Sequence, residues 1–292
     1  MKMANHQPKK TPRRIAVILG PGGSGRKLLD LVLPLLTHDR EVEMHGVFLE
    51  EAEVRHAAEL PFVQELCRVT FSVREFTSDH FERALALRMR TAQRALSVLA
   101  QRTGVAYSFR NIRGPAARLL SETARVSDIM VFEPARMIAP PAAHPLAGRR
   151  PSRRIVVAVG DLESGRMALL AAAHLAEGDA RRISVVATAS AAGVAAGGVT
   201  LDSVLDSPLD NPLINLFRKV LPAQPIRVRI IPDDVGLRGL VDAVRAEGAA
   251  LFVTAATEAL LQPANLHFLR ERLRCPICLV RQWEEREKSS TY

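Results

Sequence analysis

The sequence predicts an α/β protein made of two copies of a doubly wound domain with a parallel sheet, of the Rossmann-like kind. Short runs rich in Val and Ile alternate with helical patterns along most of the 292 residues, and this alternation is typical of a parallel sheet covered by helices on both faces. The opening pattern recurs in the second half of the chain. Apolar residues make up 48% of the sequence, which is enough for the cores of two domains.

The repeat is clearest where each copy begins. Residues 9–29 read KKTPRRIAVILGPGGSGRKLL, and residues 149–169 read RRPSRRIVVAVGDLESGRMAL. Each segment is a short apolar run, then a loop that contains glycine, then a helical pattern, which predicts a β-loop-α unit. The matched pairs include Arg14/Arg154, Ile15/Ile155, Val17/Val157, Gly20/Gly160, Ser24/Ser164, Gly25/Gly165, Arg26/Arg166 and Leu29/Leu169.

The copies then continue in step. Copy one has predicted strands at 42–49, 105–112 and 128–132 and helices at 79–103 and 115–126. Copy two has predicted strands at 183–188, 226–231 and 250–254, a helix at 236–247, and a weak helix near 201–221 broken by Pro208 and Pro212. Copy two also ends with a helix at 264–273 and a strand at 276–281, for which copy one has no counterpart.

These patterns divide the chain into a first domain at 13–135, a Pro/Ala-rich linker at 136–152 and a second domain at 153–281. The first domain has four strands and no closing strand, so its strand at 128–132 has a bare edge. Such edges are usually covered, and we expect the linker, the other copy or a second chain to cover this one. The pairing we favour is a pseudo-dimer of the two copies, and a homodimer through the closing strands stays open.

Composition and charge limit the classes of function that are expected. Three cysteines are too few for a disulfide framework, and no signal-peptide or membrane-spanning pattern is present, so we expect a cytoplasmic protein without membrane insertion. The net charge of +9 lies mostly in residues 1–150. The basic hexamers 9–14 and 149–154 are interpreted as solvated segments, with a partner patch as the alternative. Aromatic residues make up only 4%, so we do not expect nucleic acid as a partner.

Several phrases give the sequence a family resemblance. They are the strand-loop starts at 14–26 and 154–166, the helix at 82–102, and the segments YSFRNIRG at 107–114, SDIMVFE at 127–133 and LRERLRCPICLVR at 269–281. The sequence resembles a tandem universal stress protein, which implies two domains of the fold predicted above and a role in stress response. The resemblance does not by itself give an activity.

The nucleotide motif of that family is missing. Its ATP-binding members resemble one another in a Gly-x-x-Gly, nine residues, Gly-Ser/Thr motif after the fourth strand. Residues 254–280 contain no glycine, and residues 133–148 contain only Gly148. Because such glycines let backbone N–H groups approach phosphates, we do not expect ATP to bind in the family's way. The family's Asp at the end of the first strand is also displaced here, since copy two has Asp161 just after Gly160.

The best candidate site is the loop after each first strand. Gly20, Gly22 and Gly25 fit G-x-G-x-x-G after a strand, which favours either a nucleotide or anion site or a flexible turn; Glu50 or Glu51 would then meet a ribose. Copy two keeps two of the three glycines. Ser24 and Ser164 are predicted helix N-caps, and Arg26 and Arg166 could pair with a phosphate or carboxylate. The candidate cofactor-binding residues are Gly20, Gly22, Ser24, Gly25, Arg26, Ser164, Gly165 and Arg166.

The remaining motifs predict no chemistry. Cys275 and Cys278 match C-x-x-C, but a helix precedes the motif, so we interpret both as structural. The eight histidines form no metal-binding spacing, and we predict no catalytic residue, no metal and no cofactor.

We therefore expect a non-catalytic regulatory protein of universal stress type that acts through protein contacts or self-association, with a small anionic ligand as a further option. The alternative is a nucleotide or anion sensor that uses the Gly20–Gly25 loop.

Overall fold

Two sets of alternating strands and helices follow one another along the chain. The computed structural model describes residues 12–20, 25–38, 41–60, 64–66, 70–75, 77–135, 154–193, 212–221 and 226–283. Gly22, Ser24 and the predicted linker at 136–152 lie outside these ranges.

The elements of the first half are β1 (Arg13–Leu19), α1 (Gly25–His38), β2 (Val42–Glu51), α2 (Ala52–Glu59), β3 (Gln64–Leu66), β4 (Val73–Glu75), α3 (Ser78–Thr103), β5 (Ala106–Gly114), α4 (Ala116–Val126) and β6 (Ile129–Phe132). Those of the second half are β7 (Ile155–Val159), α5 (Leu162–Leu175), β8 (Ile183–Thr188), α6 (Pro212–Val220), β9 (Arg227–Ile231), α7 (Gly236–Ala246), β10 (Leu251–Ala255), α8 (Pro263–Arg272) and β11 (Ile277–Val280).

The predicted α/β class with a mostly parallel sheet is confirmed. Nine strands form one sheet in the order β5-β2-β1-β6-β11-β10-β7-β8-β9. Strands β5, β2, β1 and β6 are parallel to one another, as are β11, β10, β7, β8 and β9. Each half places its first strand between its second and fourth strands, which is a doubly wound order.

The two halves meet at an antiparallel seam. β11 pairs with β10 on one side and antiparallel with β6 on the other, with Cys278 opposite Val131. The edge of β6 is therefore covered by the closing strand of the second half. Because β11 is hydrogen-bonded on both sides, it has no free edge for pairing with a second chain.

The core lies on both faces of the sheet. On β11, Cys278 and Val280 belong to one apolar cluster with α1, α3 and α5, while Ile277 and Leu279 belong to the other with α7 and α8. This alternation follows from the period of two along a strand. No helix in the described ranges is long and apolar enough to cross a membrane.

Three local predictions were incomplete or wrong. Helix α2 and the small antiparallel pair β3–β4 were not predicted. Their residues are few, and Leu66 and Val73 are exposed, so they carry no periodic apolar signal. Pro212 does not break the predicted helix near 201–221, because it is the first residue of α6, where its missing N–H costs nothing. Residues 201–211 lie outside the described ranges.

Candidate functional site

The carboxyl ends of the parallel strands are the expected ligand edge of each half. Gly20 follows β1, Gly160 follows β7, and each half has a cavity that includes its own glycine. The two cavities differ in position and in charge, so they are described separately.

The predicted site residues of the first half lie at one end of a groove. Gly20, Gly25 and Arg26 line it, and Arg26 is exposed in the first turn of α1. Gly25 packs closely on β1, because a Cβ there would lie 3.1 Å from the side chain of Leu19, which would have to shift slightly. The structure thus places three predicted residues together, and Gly22 and Ser24 lie outside the part of the chain that it describes.

We call this cavity the arginine groove. It has a volume of about 600 Å³ between α1 and α3 and is lined by Arg26, Arg88, Arg94 and Arg102. Its floor includes the buried Leu29 and Leu99. Its rim includes Leu87 and Val98, which are 66% and 54% exposed. Asp30 is the one acidic residue among the described lining residues.

The predicted residues of the second half have mainly structural roles. Gly165 is close to β7, because a Cβ on it would lie 2.5 Å from Val159. The prediction that Ser164 caps α5 is wrong, since Asp161 is the N-cap and accepts a 2.8 Å hydrogen bond from the Ser164 backbone N–H. Ser164 Oγ donates to the same carboxylate. Asp also suits an N-cap, so residue type did not discriminate between the two positions.

We call the second-half cavity the acidic crevice. It has a volume of about 350 Å³ and lies over the carboxyl ends of β7, β8, β9 and β10. Asp161, Ser164, Asp233 and Thr254 are among its polar lining residues, and none of the described lining residues is Lys or Arg. Its apolar lining residues are Ala158, Val159, Val186, Ile231, Val235, Leu237, Leu240, Ala255, Ala259 and Leu260. Arg166 is exposed on α5 and does not line this cavity.

Asp233 is held as a carboxylate within the crevice. Its Oδ1 accepts hydrogen bonds of 2.8 Å from Ser190 Oγ and 3.2 Å from Ser190 N–H. These bonds from Ser190, with one from Thr188, hold the pKa of Asp233 below its usual value despite a smaller opposing effect of burial. The crevice therefore carries negative charge at neutral pH.

In the first half, glutamates at the carboxyl end of β2 are already paired. Glu50 is 2% exposed and lies 2.7 Å from Arg55 Nη2 and 2.9 Å from Arg113 Nε. Burial alone raises the pKa of Glu50, but hydrogen bonds from Arg55 and Arg113, the charge of Arg55 and a bond from Asn111 together hold it below the usual value. Glu51 pairs with Arg270 of α8. Both carboxylates that were considered for a ribose thus have arginine partners.

The second half has a comparable cluster at the opposite end of its strands. Glu247 is 7% exposed and follows α7, just before β10. Its carboxylate lies 2.9 Å from Arg229 Nε and 3.7 Å from Arg154 Nη1, and accepts a 3.0 Å hydrogen bond from Ser184 Oγ. The Glu247 cluster therefore does not occupy the carboxyl ends of β7–β9.

The basic hexamers are partly built into the fold. Arg13 is buried, and its guanidinium lies 3.9 Å from the centroid of the Trp283 ring. Arg154 bonds to Glu247. These two arginines are structural, so the interpretation of both hexamers as solvated segments is wrong for them; residues 9–11 and 149–153 lie outside the described ranges.

The two cysteines of the C-x-x-C pattern are free and buried. Burial raises the pKa of each thiol to about 12, which favours the unreactive protonated form. Cys275 follows α8 and Cys278 lies within β11. This geometry lacks the helix N-terminus that activates a redox thiol.

Sequence reasoning missed most of the residues that line the two cavities. The arginines of α3 lie in the helix predicted at 79–103, and Thr254 lies in the strand predicted at 250–254, but neither pattern marked these residues as part of a site. Asp233 lies in a short 3-10 turn after β9 that was not predicted. One signal was available, because acidic residues directly after a parallel strand point to the ligand edge.

The comparisons with known proteins give little beyond this geometry. The sequence matches no protein-family model and no curated protein at a significant level. Among solved structures the chain is similar to a universal stress protein from Archaeoglobus fulgidus, with 10% identity and a TM-score of 0.42, over 93% of this chain and 97% of that one. At this similarity no site residue carries over from that protein to this chain.

Proposed function

We propose that this chain is a non-catalytic regulatory protein whose arginine groove binds an acidic, amphipathic segment of a partner protein. The observation that carries the proposal is that four arginines line one groove together with exposed apolar side chains. The sequence resemblance to universal stress proteins supports a regulatory role of the stress-response type.

Four arginines against one aspartate leave the described lining of the groove with a net positive charge. Arg26, Arg88, Arg94 and Arg102 form no ion pair there, whereas Arg55, Arg113 and Arg270 each pair with a glutamate. Arginine is the basic residue most suited to carboxylates, which it binds in a fork. An occupant with several carboxylates therefore complements this surface.

The shape of the groove favours an elongated occupant. Arg88 and Arg102 are four helical turns apart on α3, which spreads the charge over about 21 Å. Leu87 and Val98 are exposed along the same stretch. A helix that carries acidic and apolar side chains on one face would meet both features, while nucleic acid would leave the apolar ones unused.

The acidic crevice supports the further proposal that ATP does not bind as it does in the universal stress family. Two carboxylates and no described cation line the crevice, so a triphosphate would be repelled. Residues 254–280 also lack the glycines that such a loop needs.

A binding assay with designed peptides tests the main proposal. Fluorescence anisotropy should show that a helical peptide with a Leu face flanked by Glu binds the full chain, and that its Lys twin does not. Rising salt should weaken the binding, because exposed charges are screened. Arg88→Glu with Arg102→Glu should weaken it at least about tenfold, which corresponds to about 1.4 kcal/mol.

Arg90→Glu is the matched control, because Arg90 is exposed on α3 but does not line the groove. Its affinity should stay near that of the wild type. Equal binding of both peptides, or no binding at millimolar concentration, would overturn the proposal. Displacement of the acidic peptide by ATP would instead favour a second function, nucleotide or anion sensing at Gly20 and Arg26, which is supported by their position at one end of the groove.

A further inference from the structure

We propose that the acidic crevice binds a small organic cation, an ammonium group carried on an apolar or aromatic body. This site is separate from the arginine groove, and its argument does not depend on the function proposed for that groove. Three properties of the crevice carry the inference, namely its charge, its apolar walls and one hydroxyl group that has no partner among the described residues.

The charge selects a cation over an anion. Asp161 and Asp233 line the crevice, and no Lys or Arg among its described lining residues offsets them. A carboxylate has room for about four hydrogen bonds. The bonds from Ser164 to Asp161 and from Ser190 to Asp233 leave acceptor positions on both. An ammonium group has three donors to fill them.

The walls select a ligand with an apolar body. Val186, Leu237, Leu240 and Leu260 line the crevice, so most of a bound ligand would contact aliphatic side chains. A volume of about 350 Å³ suits a compact aromatic amine. An inorganic cation would leave these apolar walls without a partner.

Thr254 supplies independent evidence for a ligand. Its side chain lines the crevice although the residue is only 8% exposed. Its hydroxyl group forms no hydrogen bond with any residue in the part of the chain that the structure describes, so its donor and acceptor positions are open to an occupant of the crevice. A polar atom of a ligand in the crevice, or a water bound beside it, would satisfy this hydroxyl group.

Three indole compounds of similar size but different charge test the proposal. Calorimetry on the full chain should show that tryptamine binds, that the neutral alcohol tryptophol binds at least about tenfold more weakly, and that indole-3-propionate does not bind. A tenfold ratio corresponds to about 1.4 kcal/mol and reflects the charge-assisted hydrogen bonds that only the ammonium group can donate. Equal affinity for tryptamine and tryptophol, or binding of indole-3-propionate, would overturn the proposal.

Two substitutions localise the site. Asp233→Asn should weaken tryptamine binding about tenfold, and Thr254→Val, which keeps the shape, should weaken it a few-fold. Asp234→Asn is the matched control, since Asp234 is adjacent and exposed but does not line the crevice. If Asp233→Asn and Asp234→Asn have the same effect on the affinity, tryptamine binds elsewhere and the assignment is wrong.

Discussion

Each half of the molecule buries a glutamate beside arginines, but at opposite ends of its own strands. Glu50 lies at the carboxyl ends of β2 and β5, where it contacts Arg55 and Arg113. Glu247 lies at the amino end of β10, where it contacts Arg229. In the first half the Glu50 cluster occupies part of the ligand edge. In the second half the acidic crevice lies at the ligand edge, and the Glu247 cluster lies at the other end of the strands.

The difference shows that the two halves share an order of strands but not the chemistry at the ends of those strands. Gly25 and Gly165 have the same role in both halves, because each lets a helix approach the strand before it. The charged residues differ, since the groove of the first half is lined by arginines and the crevice of the second half by aspartates. The ligands proposed for the two cavities therefore have opposite charge.

The strongest test of this comparison asks whether the two halves unfold independently of each other. Ile277 and Leu279 are both fully buried on one face of β11, which both halves share. Ile277→Lys with Leu279→Lys would bury two charges and should cost several kcal/mol, so we expect loss of cooperative unfolding in circular dichroism for the whole chain.

The control is Ile277→Val, which should cost about 1 kcal/mol and keep the fold. A double Lys variant that remained folded but changed its mass in light scattering would show that this face is an interface between chains. Retention of one intact half would show that the halves fold separately.

The two buried glutamates should each contribute to stability by a similar amount. Glu50→Gln and Glu247→Gln remove a buried carboxylate and leave its arginines without a charged partner. Each should lower the free energy of unfolding by about 1–3 kcal/mol, as measured by urea denaturation. Glu271→Gln is the exposed control and should stay within about 0.5 kcal/mol of the wild type.

Glu50 lies at the ligand edge of the first half, and Glu247 lies at the end of the second-half strands opposite the acidic crevice, so neither variant should alter tryptamine binding there. A loss of tryptamine affinity in Glu50→Gln would show that the two ligand edges are coupled.

A smaller effect is expected from acid. The pKa of Glu50 in the folded protein lies below the ordinary value of 4.5. Its ionised form therefore stabilises the fold fully above about pH 4.5, and this contribution is lost as the pH falls through the folded pKa. The difference in unfolding free energy between wild type and Glu50→Gln should shrink between about pH 6 and about pH 3. A difference that stays constant over this range would show that the ion pairs of Glu50 contribute nothing.

The sequence predicted the nine strands of the main sheet, the larger helices and their order, because runs such as 155–159 and the periodicity of α3 are local signals. It left the covering of β6 open among three alternatives, since the pairing of β6 with β11 is non-local. Asp233 was missed because its role depends on a short turn that brings it beside Asp161 and Thr254. Site chemistry depends on such juxtapositions, which periodicity does not encode.

The position of β11 also has a consequence for synthesis. Of the nine strands it is the last to leave the ribosome, yet it lies fifth in the sheet, between β6 and β10. While the second half is being translated, the edge of β6 that pairs with β11 in the complete sheet is without that partner. The nascent first half is thus open to mispairing with other strands until residues 277–280 emerge, and protection of that edge by a chaperone would matter most during this interval.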